Sequence, residues 1–148
     1  ILVRHAAVQI YPAVPTHLWQ LAPDGRSATH RLAQKLKPYE PGHIFSSKEP
    51  KAQATAAALS ETLKLPFQIA PGLQEHSRRS TLFLDSREEF EAAVAALFAR
   101  PSELVFGEET AVQSRERFME VVERLCQAHT NETLLLVTHG TVLSLFVH

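Results

Sequence analysis

A chain of 148 residues, 45% of them hydrophobic, is long enough to bury one sizeable core, so a single domain over residues 1–148 is expected. Its 15 basic and 16 acidic residues leave a formal charge of -1 with no block of one sign, which excludes the basic footprint of a nucleic-acid binder. No apolar run approaches a membrane span, the single Cys126 excludes an internal disulfide framework, and without a signal-peptide pattern the chain reads as cytoplasmic.

The pattern alternates strand and helix, which argues for α/β layers. Residues 1–5 read as a strand, followed by a polar stretch carrying Pro12, Pro15 and Pro23. Ala28, Leu32, Ala33 and Leu36 then repeat at helical spacing until Pro38. His43 to Ser46 make a second strand, and Ala52, Ala56, Leu59 and Leu63 a second helix closed before Pro66. Phe67 to Ala70 read as a third strand. Ser86 with Glu89 forms a capping box ahead of the stripe Phe90, Ala93, Val94, Leu97 and Phe98, which Pro101 stops. Phe118, Val121, Val122 and Leu125 carry a fourth helix into the strand 134–138, and Val142 to Phe146 begin another helix-like stretch. Ile1 already stands inside a strand-like run and His148 ends a helix-like one, so both ends look clipped.

Two histidines stand at the far ends of apolar runs: His5 after Ile1 to Arg4, and His139 after Leu134 to Thr138. In an open α/β sheet, ligands bind outside the carboxyl ends of the strands, so these two imidazoles would face one crevice. His139 precedes Gly140, which lets backbone approach a ligand, and Thr141, whose helix N-terminus offers N–H groups to an anion. Ser46, Ser47 and Lys51 follow the second strand, and Glu75 follows the third, beside His76, Arg78 and Arg79. A carboxyl near two histidines can donate a proton to a leaving oxygen. Each of these features alone fits an ordinary strand end or solvated surface group equally well; together they describe an anion site. His17, His30, His43, His129 and His148 show no such placement and read as surface or packing residues.

Arg4 and His5 after a strand, Ser46 and Ser47 with Lys51, Ala52, Thr55 and Ala56, Leu73 with Glu75, and Val137 to Gly140 together resemble the histidine phosphatase superfamily, or phosphoglycerate mutase-like proteins, in its small bacterial-type single-domain branch. Leu21, Pro23, Gly25, Ala28 and Leu32 look like its first helix entry, and Gly107, Glu108, Glu109 with Arg115 like the start of its last long helix. The resemblance implies a three-layer α/β/α sandwich around a mostly parallel sheet, and a two-step phosphoryl transfer without a cofactor or metal. His5 would attack phosphorus; Arg4 and Lys51, with His139, Gly140 and Thr141, would hold the phosphate oxygens; Glu75 would protonate the leaving alcohol. His76, Arg78 and Ser47 would touch the rest of a small phosphorylated substrate or phosphoprotein, with no nucleic acid or membrane involved; no oligomeric state is implied.

Three departures from the family pattern matter. Ala6 stands where glycine is usual, which is a small change if φ stays negative there. Lys51 stands where arginine is usual, a point charge in place of a planar fork of donors. Val8 and Tyr11 replace a hydroxyl residue and an asparagine of the mutases, which speaks against a phosphoglycerate mutase-type transferase. Residues 76–106 fall where the family builds its cap; a short cap implies an open pocket and a hydrolase for phosphomonoesters or protein phosphohistidine. Two other readings compete: a phosphate-binding module without turnover, because of Lys51, and a metal site of two histidines and a glutamate, against which Arg4 and Lys51 would repel a cation.

Overall fold

The computed structural model describes residues 1–79, 84 and 86–148; the remaining part of the expected cap, residues 80–83 and 85, lies outside the described residues. Among the described residues, four strands, β1 (Leu2–Arg4), β2 (Pro41–Ser46), β3 (Phe67–Ile69) and β4 (Thr133–Thr138), pair in the order β1-β4-β2-β3, every pair parallel. The α-helices of the described residues are α1 (Pro23–Leu36), α2 (Pro50–Leu63), α3 (Arg87–Ala99), α4 (Ala111–Ala128) and α5 (Gly140–Val147).

The alternation of side chains along the strands sorts the core into two layers. Val3, Ile44, Leu135 and Val137 face Ala33 and Leu36 of α1 and Ala52, Ala56 and Leu59 of α2. On the other side, Phe45, Leu134 and Leu136 meet Phe118, Val121 and Leu125 of α4 and Val142 of α5. This is the expected three-layer sandwich. The central strand β4 is buried from Leu134 onward, which explains its unbroken run of Leu and Val.

Helix α1 departs from the expected stripe. Its buried face is Gly25, Thr29, Ala33 and Leu36, and Ala28 is exposed. Thr29 can be buried because its hydroxyl donates to the Gly25 carbonyl at 2.9 Å, so no polar atom is stranded. Helix α3 also differs. Of its apolar stripe only Leu97 is buried; Phe90, Val94 and Phe98 line a cavity instead. Its N-terminus is as expected, with Ser86 Oγ accepting from the Glu89 N–H at 3.0 Å. Helix α4 begins with a full capping box of Thr110 and Gln113, which was not foreseen.

The topology positions the site. β1, β2 and β3 advance with α1 and α2 on one face, and α4 returns across the other face to insert β4 between β1 and β2. Open α/β sheets place ligand crevices at such reversals, outside the carboxyl ends of the strands.

Candidate active site

Arg4 of β1 is registered against Thr138 of β4, so His5 and His139 are the next residues along neighbouring parallel strands. Neighbouring strands run about 4.8 Å apart. The two imidazoles follow that spacing, with ring centroids 5.1 Å apart and planes inclined at 61°. The His5 N–H also continues the ladder by donating to the Thr138 carbonyl at 2.9 Å.

The two rings are held differently. His5 Nδ1 lies 2.7 Å from the Ala6 carbonyl oxygen, which can only accept, so Nδ1 carries the hydrogen and Nε2 keeps its lone pair. Ala6 is not among the residues with positive φ, and its own N–H donates to Thr55 Oγ1 at 3.1 Å, so the alanine in place of glycine leaves this turn unstrained. His139 is fully buried, with Nε2 2.8 Å from Ser47 Oγ. Ser47 Oγ also accepts from the Glu49 N–H at 3.2 Å, which fixes the hydroxyl beneath the ring. The other ring nitrogen, Nδ1, is buried without a protein partner. Burial lowers the pKa of both histidines. For His5 the charges of Lys51 and Arg4 add to burial against the opposing Ala6 hydrogen bond; for His139, pushed well below its ordinary 6.5, His5 and Lys51 add to it.

The cations are arranged unequally. The Arg4 side chain lies over Gly140: a Cβ there would stand 3.2 Å from Arg4 Nε and 3.3 Å from Cζ, so glycine lets the guanidinium rest against the start of α5. Lys51 is buried. Its Nζ pairs with Glu49 Oε2 at 2.8 Å and donates to the Thr16 carbonyl at 2.7 Å. The contact with Thr16 is a hydrogen bond, whereas Glu49 Oε2 is buried without a hydrogen-bond donor and meets Lys51 as an ion pair, so the ammonium keeps hydrogens for a ligand.

Glu75 sits across the start of α5. Its Oε2 accepts from the Thr141 N–H at 3.1 Å, and its Oε1 from Val142 at 2.8 Å and His76 at 3.0 Å. The N–H of Thr141 expected to hold an external anion is therefore engaged by the protein's own carboxylate. Arg117 fixes the loop that carries Glu75, donating to the carbonyls of Gly72, Gln74 and Glu75 and pairing with Glu109 at 2.7 Å. The helix arginine that matters is thus Arg117; Arg115 is exposed. Burial alone would raise the Glu109 pKa, but Arg117 and the Ser77 N–H bring it below the usual carboxylate value.

Two of the residues expected to touch substrate are occupied elsewhere. His76 is buried, its Nε2 2.8 Å from the Glu109 carbonyl and its ring stacked on Phe106, so it braces the loop. Ser47 is buried under His139 and orients that ring. Arg78 does line the site, its guanidinium 4.9 Å from the Phe90 ring centroid and 5.6 Å from that of Phe106. The sequence reading missed Glu49, buried within 3.7 Å of His139 Nε2, and His17, which lines a smaller cavity beside Lys51. An acid immediately before Pro50 and two residues before the site's lysine was the available signal for Glu49.

Arg4, His5, Lys51, Glu75, Gly140 and Thr141 open onto one cavity of about 640 Å³, whose far wall is Phe90, Val94 and Phe98 of α3 with Phe106. Paired imidazoles, flanking cations and a nearby carboxylate at a strand-end crevice of an α/β protein are a set of groups suited to an oxyanion such as phosphate. The chain belongs to the histidine phosphatase superfamily (branch 1), whose family model matches residues 1–148. It is 28% identical over 156 aligned positions to a metal-independent phosphoserine phosphatase of Arabidopsis thaliana, the match covering 97% of this chain and 64% of that protein's length. Its fold is similar to a mycobacterial glucosyl-3-phosphoglycerate phosphatase, with TM-score 0.79, 21% identity, and coverage of 99% of this chain and 76% of that one. It is also similar to a phosphoserine phosphatase of Entamoeba histolytica solved with 3-phosphoglyceric acid, with TM-score 0.77, 18% identity, and coverage of 99% and 76%.

Proposed function

We propose that this chain is a metal-independent phosphatase that hydrolyses small phosphomonoesters through a phosphohistidine on His5. The observation that carries the reading is the His5–His139 pair, 5.1 Å apart, with His5 Nδ1 tied to the Ala6 carbonyl. That bond points the nucleophilic lone pair at Nε2, and the lowered pKa keeps it unprotonated near neutral pH.

In the first step, Nε2 attacks phosphorus while the bond to the leaving oxygen breaks and Glu75, carrying the proton, delivers it to that oxygen. In the second step, water attacks the phosphohistidine, the N–P bond breaks, inorganic phosphate leaves and the water's proton returns to Glu75. Arg4 and the Lys51 ammonium offset the charge on the equatorial oxygens, and His139, its ring against that of His5, is the imidazole placed to donate to one of them. The apolar wall formed by α3 and Phe106 favours substrates whose non-phosphate portion has an apolar face. The phosphoserine phosphatase relative supports the small-molecule class over phosphoproteins.

Replacing His5 by alanine is expected to reduce hydrolysis of an aryl phosphate by about a thousandfold or more. Brief incubation with substrate should leave an acid-labile, base-stable phosphoryl group on the native protein and none on the variant. Full activity in His5→Ala would overturn the reading.

The engagement of Lys51 by Glu49 favours one other reading, a phosphate-binding module with little turnover. It predicts phosphate binding by calorimetry with no product over hours, and gain of turnover in Lys51→Arg. Turnover by the native chain rejects it.

A further inference from the structure

At the end of the sheet opposite the paired histidines, the first turns of β2 and the α4–β4 connection bring together three donors that the proposed chemistry does not use. His43 stands near the start of β2, His129 caps the C-terminus of α4, and Glu132 immediately precedes β4. One ligand atom from each lies within 4.8 Å of the other two. The imidazoles of His43 and His129 have centroids 4.2 Å apart, and the Glu132 carboxylate reaches both: Oε2 lies 2.7 Å from His43 Nε2 and Oε1 3.6 Å from His129 Nδ1.

We propose that His43, His129 and Glu132 form a binding site for a divalent transition-metal ion of Zn²⁺ type. Two imidazole nitrogens and a carboxylate oxygen are the donor set that Zn²⁺ accepts, with water completing the tetrahedron. Donors around such an ion stand about 3.4 Å apart; the 3.6 Å contact of Glu132 with His129 is already near that spacing, and the 2.7 Å contact with His43 widens to admit the ion. The carboxylate's ion-pair partners here are both histidines, in contrast to the catalytic crevice, where Arg4 and Lys51 oppose a cation.

The surroundings suit the role. Phe45 packs beneath both imidazoles, its centroid 6.0 Å from His43 and 5.5 Å from His129, giving the donors a low-dielectric floor that strengthens attraction to a cation. Side-chain exposures of 33% for His43, 23% for His129 and 44% for Glu132 leave a path for the ion and room for its water. Gly42 adds a further sign: a Cβ there would stand 2.9 Å from Glu132 Oε2, so glycine allows the carboxylate to lie across β2 toward the histidines. An ion here joins β2 to the connection between α4 and β4, and its binding energy adds directly to the stability of the fold.

The test is calorimetric titration of the whole chain with Zn²⁺, paired with thermal melts. The native protein is expected to bind one Zn²⁺ with micromolar affinity, to melt a few degrees higher when saturated, and to show no comparable response to Mg²⁺, which prefers oxygen ligands. His43→Ala and His129→Ala should each weaken binding by about tenfold or more and remove the melting shift. Glu132→Gln keeps the shape of the side chain and is expected to behave likewise, so the test survives if an alanine variant fails to fold. Binding should persist in His5→Ala, which separates this site from the paired histidines of the crevice. The proposal is overturned if no site is found up to about 1 mM Zn²⁺, if affinity in the histidine variants stays within about twofold of native, or if Mg²⁺ binds as tightly.

Discussion

Lys51 reaches the crevice with one donor held by the Thr16 carbonyl and its charge paired with Glu49, which is itself buried beside His139. A buried pair is worth little as a pair, but removing one member strands the other charge. Glu49→Gln is therefore expected to lower unfolding free energy by about 3 to 5 kcal/mol, read from urea denaturation. A loss below about 1 kcal/mol would mean that solvent reaches the lysine and compensates it. The two histidines set a pH dependence of definite sign. Burial, with neighbouring cations, lowers both pKa values in the fold, while the unfolded chain titrates near 6.5. Between those limits the unfolded state binds more protons, so the stability contributed by the neutral rings is complete above about pH 6.5 and is lost as pH falls toward the folded values. Melting temperature should thus drop on acidification from pH 7 to 5, and His139→Gln should flatten the slope. Parallel curves for the two proteins would show that His139 is not the titrating group.

The elements were unevenly legible. Strand ends could be read because an apolar run followed by His, Ser or Glu marks the place where a parallel strand stops, and β1, β2 and β4 each end within a residue or two of such a point. The stripe on α2 was legible for the same reason: Ala52, Ala56 and Leu59 are small or branched apolar residues at helical spacing, and all are buried. The apolar stripe on α3 carries the same periodicity but faces a cavity, because periodicity reports an apolar face and not what covers it. Arg117 was invisible for a different reason. Three of its partners are backbone carbonyls 42 to 45 residues away, and a carbonyl has no signature in sequence. The N-terminus of α4 could have been read from Thr110 and Gln113, whose spacing is that of a capping box. Thr110 Oγ1 accepts from the Gln113 N–H at 3.1 Å and Gln113 Oε1 from the Thr110 N–H at 2.9 Å. Thr110→Ala is expected to cost about 1 kcal/mol. For a domain of this size that corresponds to about 2 to 5 °C in calorimetric melting temperature. An unchanged melt would mean that the packing of Phe118, Val121 and Leu125 alone fixes where the helix begins.

Over the whole molecule, charge is nearly balanced, at -1, so no long-range field draws an anion in. Attraction must come from the groups that open on the cavity, Arg4, Arg78 and Arg87 with the Lys51 ammonium. The proposed site would make native stability depend on phosphate itself: a ligand that binds only the folded state adds RT ln(1 + [L]/Kd) to the unfolding free energy, about 1.4 kcal/mol when its concentration is ten times Kd. Inorganic phosphate should therefore raise the melting temperature in a saturable way, by about 3 to 6 °C at that concentration. Sodium chloride at matched ionic strength should not reproduce the effect, because screening acts on every charge while the site selects an oxyanion. Arg4 is exposed and contributes no core packing, so Arg4→Ala should leave the phosphate-free melt within about 1 °C of native and reduce the phosphate-induced shift by more than half. An undiminished shift in that variant would move the anion away from the start of α5, against the geometry in which the Arg4 side chain rests over Gly140.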